Sequence, residues 1–254
     1  MLPAMTEERG GSSALKGRLA DVYVRALVDG SLEALSRRLG NRATIDDPLF
    51  GRASTLSSID PLLEKAATRF KEARASYRHV ASTTGVDRDV CEGVLTMTTS
   101  TGKSELPIAV VAERRRLREI ELRIYYATGS GPRKAAPPTR TADDVPLPQI
   151  VAHVLDALRK GAVERVLAAF EEASRWVDPL GRVHAKRDGG MASFLSDLGG
   201  RLDLVPTGAA DDGRTCCLEV IATRRRQEAP EPATLAFERG DSGLIRELRL
   251  YYEP

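Results

Sequence analysis

The segment Glu121-Leu-Arg-Ile-Tyr-Tyr126 is written a second time as Glu247-Leu-Arg-Leu-Tyr-Tyr252, and each copy closes one half of the 254-residue chain. Within the first copy Leu122, Ile124 and Tyr126 alternate with Glu121, Arg123 and Tyr125. That is the period of a strand with one apolar face and one mixed face. Working outward, Gly30, Glu33 and Asp47-Pro48-Leu49 recur as Gly161, Glu164 and Asp178-Pro179-Leu180, each 131 residues later. Pro107 to Arg114 recurs as Pro232 to Arg239, 125 residues later. Solenoid units span about 20–50 residues, so the repeating unit here is a whole small domain. The chain reads as a first domain over 15–128, a linker over 129–146 and a second domain over 147–254. The linker is marked by two glycines and four prolines.

Leu19, Val22, Tyr23, Ala26 and Leu27 recur at helical spacing and stop at Gly30. A short helix over 32–39 follows, then an extended piece that ends at Asp47-Pro48, because a residue before proline is biased away from the helix. A third helix spans 59–73, and from Tyr77 onward the pattern changes to four strands. The second half repeats this order, with Phe170 closing its second helix and a shorter third helix over 190–202. Helices followed by consecutive strands give an α+β domain with an antiparallel sheet. The strand at 108–112 is apolar on both faces and needs cover on both. Helices supply one cover and the other half of the chain the second. Glu121, Arg123, Glu247 and Arg249 are then expected at that junction, with opposite charges paired across it.

With 38 basic and 36 acidic residues the net charge is +2, too small a field to favour nucleic acid or an anionic membrane as partner. The arginine runs at 114–116 and 224–226 lack interleaved aromatics and read as solvated strand ends. No apolar run reaches the ~18–20 residues of a spanning helix, and Met1 to Leu15 has no signal-like stretch. Three cysteines, two of them adjacent, point to a reducing compartment, and the protein is read as cytoplasmic. His79, His153 and His184 show no ligand spacing with one another or with the cysteines, so neither a metal nor a cofactor is expected.

The helix ending in Asp29-Gly-Ser-Leu-Glu-Ala-Leu35, the segment Ala43-Thr-Ile-Asp-Asp-Pro-Leu-Phe-Gly51 and the terminal aromatic pair resemble the nuclear transport factor 2-like superfamily, in particular its SnoaL-like and ketosteroid isomerase branch. The resemblance implies two cone-shaped domains, helices closing over a curved sheet around an apolar pocket. It also implies that the two pair sheet to sheet as an intramolecular pseudo-dimer in a monomeric chain. Ketosteroid isomerases place an aspartate base in this Asp-Pro motif, a tyrosine on the first helix and a protonated acid on a late strand. Carried onto this chain, Asp47 is the base, Tyr23 the oxyanion donor, and Ala109 stands where the acid would be. In the second half Asp178 is the weaker base, with Val154 and Thr234 at the other two positions. Tyr126, Trp176 and Tyr252 complete the implied ligand contacts.

A carboxylate in an apolar pocket gains strength as a base, and a tyrosine hydroxyl can stabilise a developing enolate. That chemistry is proton transfer next to a carbonyl, as in an isomerase or cyclase. The alternative is a non-catalytic module of the same fold that binds a small apolar ligand or another protein. Asp before Pro is also ordinary turn chemistry, Tyr23 lies on an apolar helix face, and Trp176 suits a core. The sequence leaves both readings standing.

Overall fold

The computed structural model describes residues 18–99, 102–115, 119–126, 145–198, 202–224 and 230–252. The N-terminal stretch, nearly all of the linker, the glycine pair at 199–200 and the ends of both arginine runs lie outside the described residues. The first half runs α1 (Leu19–Asp29), α2 (Leu32–Leu39), β1 (Ala43–Asp47), β2 (Gly51–Ala53), α3 (Leu56–Glu72), β3 (Ser76–Thr84), β4 (Arg88–Thr99), β5 (Gly102–Arg114) and β6 (Ile120–Tyr126). The second runs α4 (Gln149–Lys160), α5 (Val163–Ala168), β7 (Phe170–Val177), β8 (Val183–Ala185), α6 (Gly190–Asp197), β9 (Leu202–Asp211), β10 (Thr215–Arg224), β11 (Glu231–Arg239) and β12 (Ile245–Tyr251). The α+β duplication holds element by element. The repeated glycines explain themselves: Gly30 and Gly161 end α1 and α4 at φ 75° and 64°, the left-handed cap that side chains other than glycine resist.

Each half forms a six-stranded sheet, ordered β2-β1-β6-β5-β4-β3 and β8-β7-β12-β11-β10-β9. The sheets are mixed rather than wholly antiparallel, since β1 runs parallel to β6 and β7 parallel to β12. A helix and four strands separate β1 from β6, and a connection of that length permits parallel pairing. Phe170 begins β7 instead of closing a helix, because its side chain belongs to the face that Ser174 and Trp176 continue at strand spacing. The helices cover one face of each sheet. In the first half they bury Ile108, Val110, Leu122, Ile124 and Tyr126 beneath Val22, Tyr23, Leu27 and Leu63.

The opposite faces of the two sheets meet. Val90, Ala109, Val111 and Tyr125 form one buried cluster with Ala210, Cys217, Ala236 and Tyr251. The alanines keep the approach close, and a Cβ at Gly208 would run into the Arg88 guanidinium reaching over from β4.

Around this cluster lie two reciprocal ion clamps. Arg123 grips Glu219 with both arms of its guanidinium, Nε to Oε1 at 2.6 Å and Nη2 to Oε2 at 2.7 Å, while Tyr125 donates to Oε1 at 2.6 Å. Arg249 grips Glu92 in the same way, at 2.7 and 3.0 Å, while Tyr251 donates at 2.8 Å. The duplicated Arg-x-Tyr thus crosses the junction in both directions. The acids it meets are those of β4 and β10. Glu121 and Glu247 instead pair within their own halves, with Arg123 at 3.0 Å and Arg249 at 2.9 Å.

Removing one partner of a buried, hydrogen-bonded ion pair costs about 3–5 kcal/mol, because the other charge is left without compensation. Arg123→Met should therefore lower unfolding free energy by about 3 kcal/mol or more, and Tyr125→Phe by about 1 kcal/mol, as measured by urea denaturation. Burial pushes the Glu219 carboxyl up, but Arg123, Arg88 and Tyr125 more than offset it, leaving it below the usual glutamate range. A carboxylate depressed in the folded state stabilises above its unfolded pKa and loses that contribution as pH falls through the folded one. Acid denaturation should accordingly begin at higher pH in Arg123→Met than in the wild type.

Candidate functional site

Tyr23, Asp47 and Tyr126 come together beneath α1. Asp47 is the last residue of β1, and Pro48 forces the chain to turn there. Its Oδ1 accepts the amides of Leu49 at 2.8 Å and Phe50 at 3.0 Å, an Asx-type turn that fixes the following loop. The same oxygen accepts the Tyr126 hydroxyl at 2.8 Å, while Oδ2 receives a longer contact from Tyr23, at 3.5 Å. All three side chains are at most 2% exposed.

Burial raises the Asp47 carboxyl above the usual aspartate range, and the hydrogen bonds from Tyr126, Phe50, Leu49 and Tyr23 pull it down without restoring it. Burial also lifts both tyrosine hydroxyls well above their ordinary value, reinforced by the Asp47 charge. This is the electrostatics of a strengthened base. Its acceptor positions, however, are directed at the protein's own donors.

The late-strand position falls differently from the resemblance. Ile108 and Val110 face the helices, whereas Ala109 points to the sheet junction, and its counterpart Thr234 is likewise on the junction side of β11. Strand alternation fixes this: Ala233 and Leu235 are in the second core, so Thr234 between them is not. Ala109 and Thr234 therefore do not face the interiors beneath the helices, contrary to the ligand contacts the resemblance implies. Neither Ile108 nor Val110, the inward neighbours, can donate a hydrogen bond.

In the second half Val154, Trp176 and Tyr252 are core residues. Trp176 stacks on Phe170 with centroids 6.3 Å apart and meets Phe194 edge-on at 5.5 Å, filling the interior. Asp178 turns its Oδ1 to the amides of Leu180 and Arg182, both at 2.9 Å, and its Oδ2 to the Arg182 guanidinium at 2.6 Å. Burial would raise this carboxyl, but Arg182 and His184 hold it below the usual range. It is a charged turn residue with a permanent cation beside it.

An open cavity lies next to the Asp47 turn, lined by Leu49 and Phe50 and not by Tyr23, Asp47 or Tyr126. It is a cleft of about 760 Å³ walled by Leu49, Phe50, the C-terminal half of α3, the β4–β5 hairpin near Met97 and Leu106, and Pro179-Leu180 of the second half. Phe50 and Phe70 meet edge to face in its wall, centroids 6.2 Å apart. Lys65, Arg69, Glu72 and Glu105 carry both signs of charge around it. Sequence reasoning passed over Phe50, Leu106 and Leu180. Their only signal was an apolar residue following each Asp-Pro and an apolar strand continuing toward a polar hairpin tip.

No protein-family model and no curated protein matches the chain. Among solved structures it is similar to an NTF2-like protein from Cytophaga hutchinsonii, 16% identical, over 44% of this chain and 93% of that one, TM-score 0.36. It is also similar to a protein with a ketosteroid isomerase-like fold from Catenulispora acidiphila in complex with trimethylamine, 16% identical, over 42% and 88%, TM-score 0.38. A third is the orange carotenoid protein of Anabaena binding canthaxanthin, 15% identical, over 45% and 39%, TM-score 0.39.

Deleting the Asp47 side chain would orphan two amides and the Tyr126 hydroxyl, each worth about 1–3 kcal/mol when buried without a partner. Asp47→Ala is expected to lose about 3 kcal/mol or more in urea denaturation. Asparagine keeps the Oδ1 acceptor and has no charge to desolvate. Because the folded-state pKa is raised, ionised Asp47 is a cost at neutral pH that Asn removes, so Asp47→Asn should stay within about 1 kcal/mol of wild type at pH 7.

Proposed function

We propose that this tandem NTF2-like chain is a non-catalytic binding protein for a small, mostly apolar molecule seated in the cleft against the Asp47 turn. One observation carries the reading: Asp47, the residue best suited to chemistry, is enclosed by Tyr23, Tyr126 and its own loop amides, while the open volume is mostly apolar and is lined by Leu49 and Phe50 but not by Asp47 itself. Asp47 then acts indirectly. By fixing Leu49 and Phe50 it shapes one wall of the ligand site. Pocket-lining apolar residues supply affinity and a few rim charges set orientation, the usual division in small-molecule sites.

In this reading the chain is two domains over 15–128 and 147–254, joined by the linker at 129–146 and paired as a monomeric pseudo-dimer through the reciprocal clamps. The free, buried Cys91, Cys216 and Cys217 fit a reducing compartment such as the cytoplasm. Among the described residues no helix is long and apolar enough to cross a membrane.

A second reading is favoured by the raised Asp47 carboxyl and the tyrosine beside it: proton transfer next to a carbonyl, with Asp47 as base and Tyr23 as oxyanion donor. The two readings part cleanly in experiment. Native mass spectrometry of the purified chain should reveal a co-purified small molecule, and an environment-sensitive apolar fluorophore should bind. Leu180 is half exposed at the cleft, so Leu180→Asp should fold normally and weaken fluorophore binding about tenfold or more, the loss from one buried leucine contact. Asp47→Asn should bind as the wild type does. Fluorophore binding indifferent to Leu180→Asp would remove the cleft as the site. Exchange of a ketone's α-proton by the wild type, lost in Asp47→Asn, would replace binding by catalysis.

A further inference from the structure

Asp21 in the first turn of α1, His79 of β3 and Cys91 of β4 bring one donor atom each to within 4.8 Å of one another. Their sequence spacing gives no hint of this. A register shift between His79 and Ala81 creates it, because the bulge changes strand parity and leaves both His79, opposite Gly93, and Ser82, opposite Cys91, toward α1.

We propose that Asp21, His79 and Cys91 form a binding site for one thiophilic divalent cation, zinc by donor chemistry, with a fourth position open to solvent. Thiolate, imidazole and carboxylate are the donor types zinc takes, and three protein ligands with one open position are a recurrent arrangement. The Cys91 Sγ to Asp21 Oδ1 separation is 3.6 Å. Bonds of ~2.3 Å to sulfur and ~2.0 Å to oxygen at a tetrahedral angle set those atoms about 3.5 Å apart.

The surrounding contacts orient the donors. Arg25 Nε holds Asp21 Oδ2 at 2.8 Å and leaves Oδ1 toward the sulfur. The Tyr77 hydroxyl meets Sγ at 3.0 Å, and Ser82 Oγ lies 2.8 Å from His79 Nε2. Such outer contacts fix ligand orientation in metal sites. His79 is exposed and Asp21 partly so, which gives a cation a path to the buried sulfur.

Without a cation the thiol keeps its proton: burial, with Asp21 adding, pushes Cys91 up to about 12 although Tyr77 and Ser82 favour the thiolate. The charged or titratable groups facing the sulfur are Asp21 and Arg25 on α1 and Tyr77 and His79 on β3. Binding forms the sulfur–metal bond and releases that proton to solvent, so thiol plus cation gives bound thiolate plus one proton.

The test is a cobalt(II) titration of the chelator-treated full chain, read by absorption. The wild type should give a thiolate-to-cobalt charge-transfer band and the visible bands of a four-coordinate site, saturating at one equivalent and erased by zinc. Cys91→Ala should abolish the charge-transfer band, and His79→Ala should weaken affinity at least tenfold. Ser82→Ala, which removes the hydroxyl beside the imidazole and the sulfur, should cost about 10–100-fold. Absence of the band in the wild type with excess cobalt would overturn the proposal, as would a band that survives Cys91→Ala. If circular dichroism shows Cys91→Ala unfolded, the exposed His79 decides alone: unchanged affinity in His79→Ala overturns the site.

Discussion

Glu219 and Glu92 are carboxylates withdrawn from water in the middle of facing sheets, and the hydrogen-bond donors that compensate each come from the other half of the chain. Desolvating a carboxylate costs several kcal/mol, so neither sheet can present this face alone at its lowest free energy. The apolar contact of the alanines and tyrosines drives the sheets together, while the clamps determine in what register they stop. An apolar face would tolerate a slide by one residue pair. Two bidentate grips with converging tyrosine hydroxyls do not.

That constraint reaches the candidate site through β6. Arg123 and Tyr125 are held at the junction, so their neighbours Ile124 and Tyr126 are held on the helix side, and Tyr126 delivers its hydroxyl to Asp47. One strand therefore couples the buried clamp to the buried aspartate by simple alternation. The first-domain loop that Asp47 organises is one wall of the cleft, and Pro179-Leu180, organised by Asp178, is another. The duplicated Asp-Pro turn serves the same cleft from both halves.

Much of this was legible in the sequence because it is periodic. The alternation over 121–126 foretold which residues face the helices, the repeated glycines foretold the caps, and the doubly apolar strand at 108–112 foretold cover on both sides. Tyr23 near Asp47 was legible only through the resemblance. What escaped depends on contacts across long separations. Glu219 stands 96 residues from Arg123, and Glu92 157 from Arg249, so nothing local marks them as partners. The parallel β1–β6 pairing depends on the route of the chain over the sheet. The Ala109 position was displaced by one residue, and in a strand one residue is the opposite face. The His79 cluster owes its existence to a bulge, a feature that a regular pattern cannot announce.

Covalent duplication releases the junction from symmetry. When two identical chains pair, every substitution appears twice, and a side chain that suits one copy must suit both. Here Trp176 occupies the second interior while the first keeps its Tyr–Asp–Tyr arrangement, and Arg88 leans over Gly208 to reach Glu219 at 3.2 Å with Thr215 standing at the equivalent place in the other copy. The reciprocal clamps are what remains shared. Around that shared frame the two interiors differ in composition, an asymmetry that a pair of identical chains could not adopt.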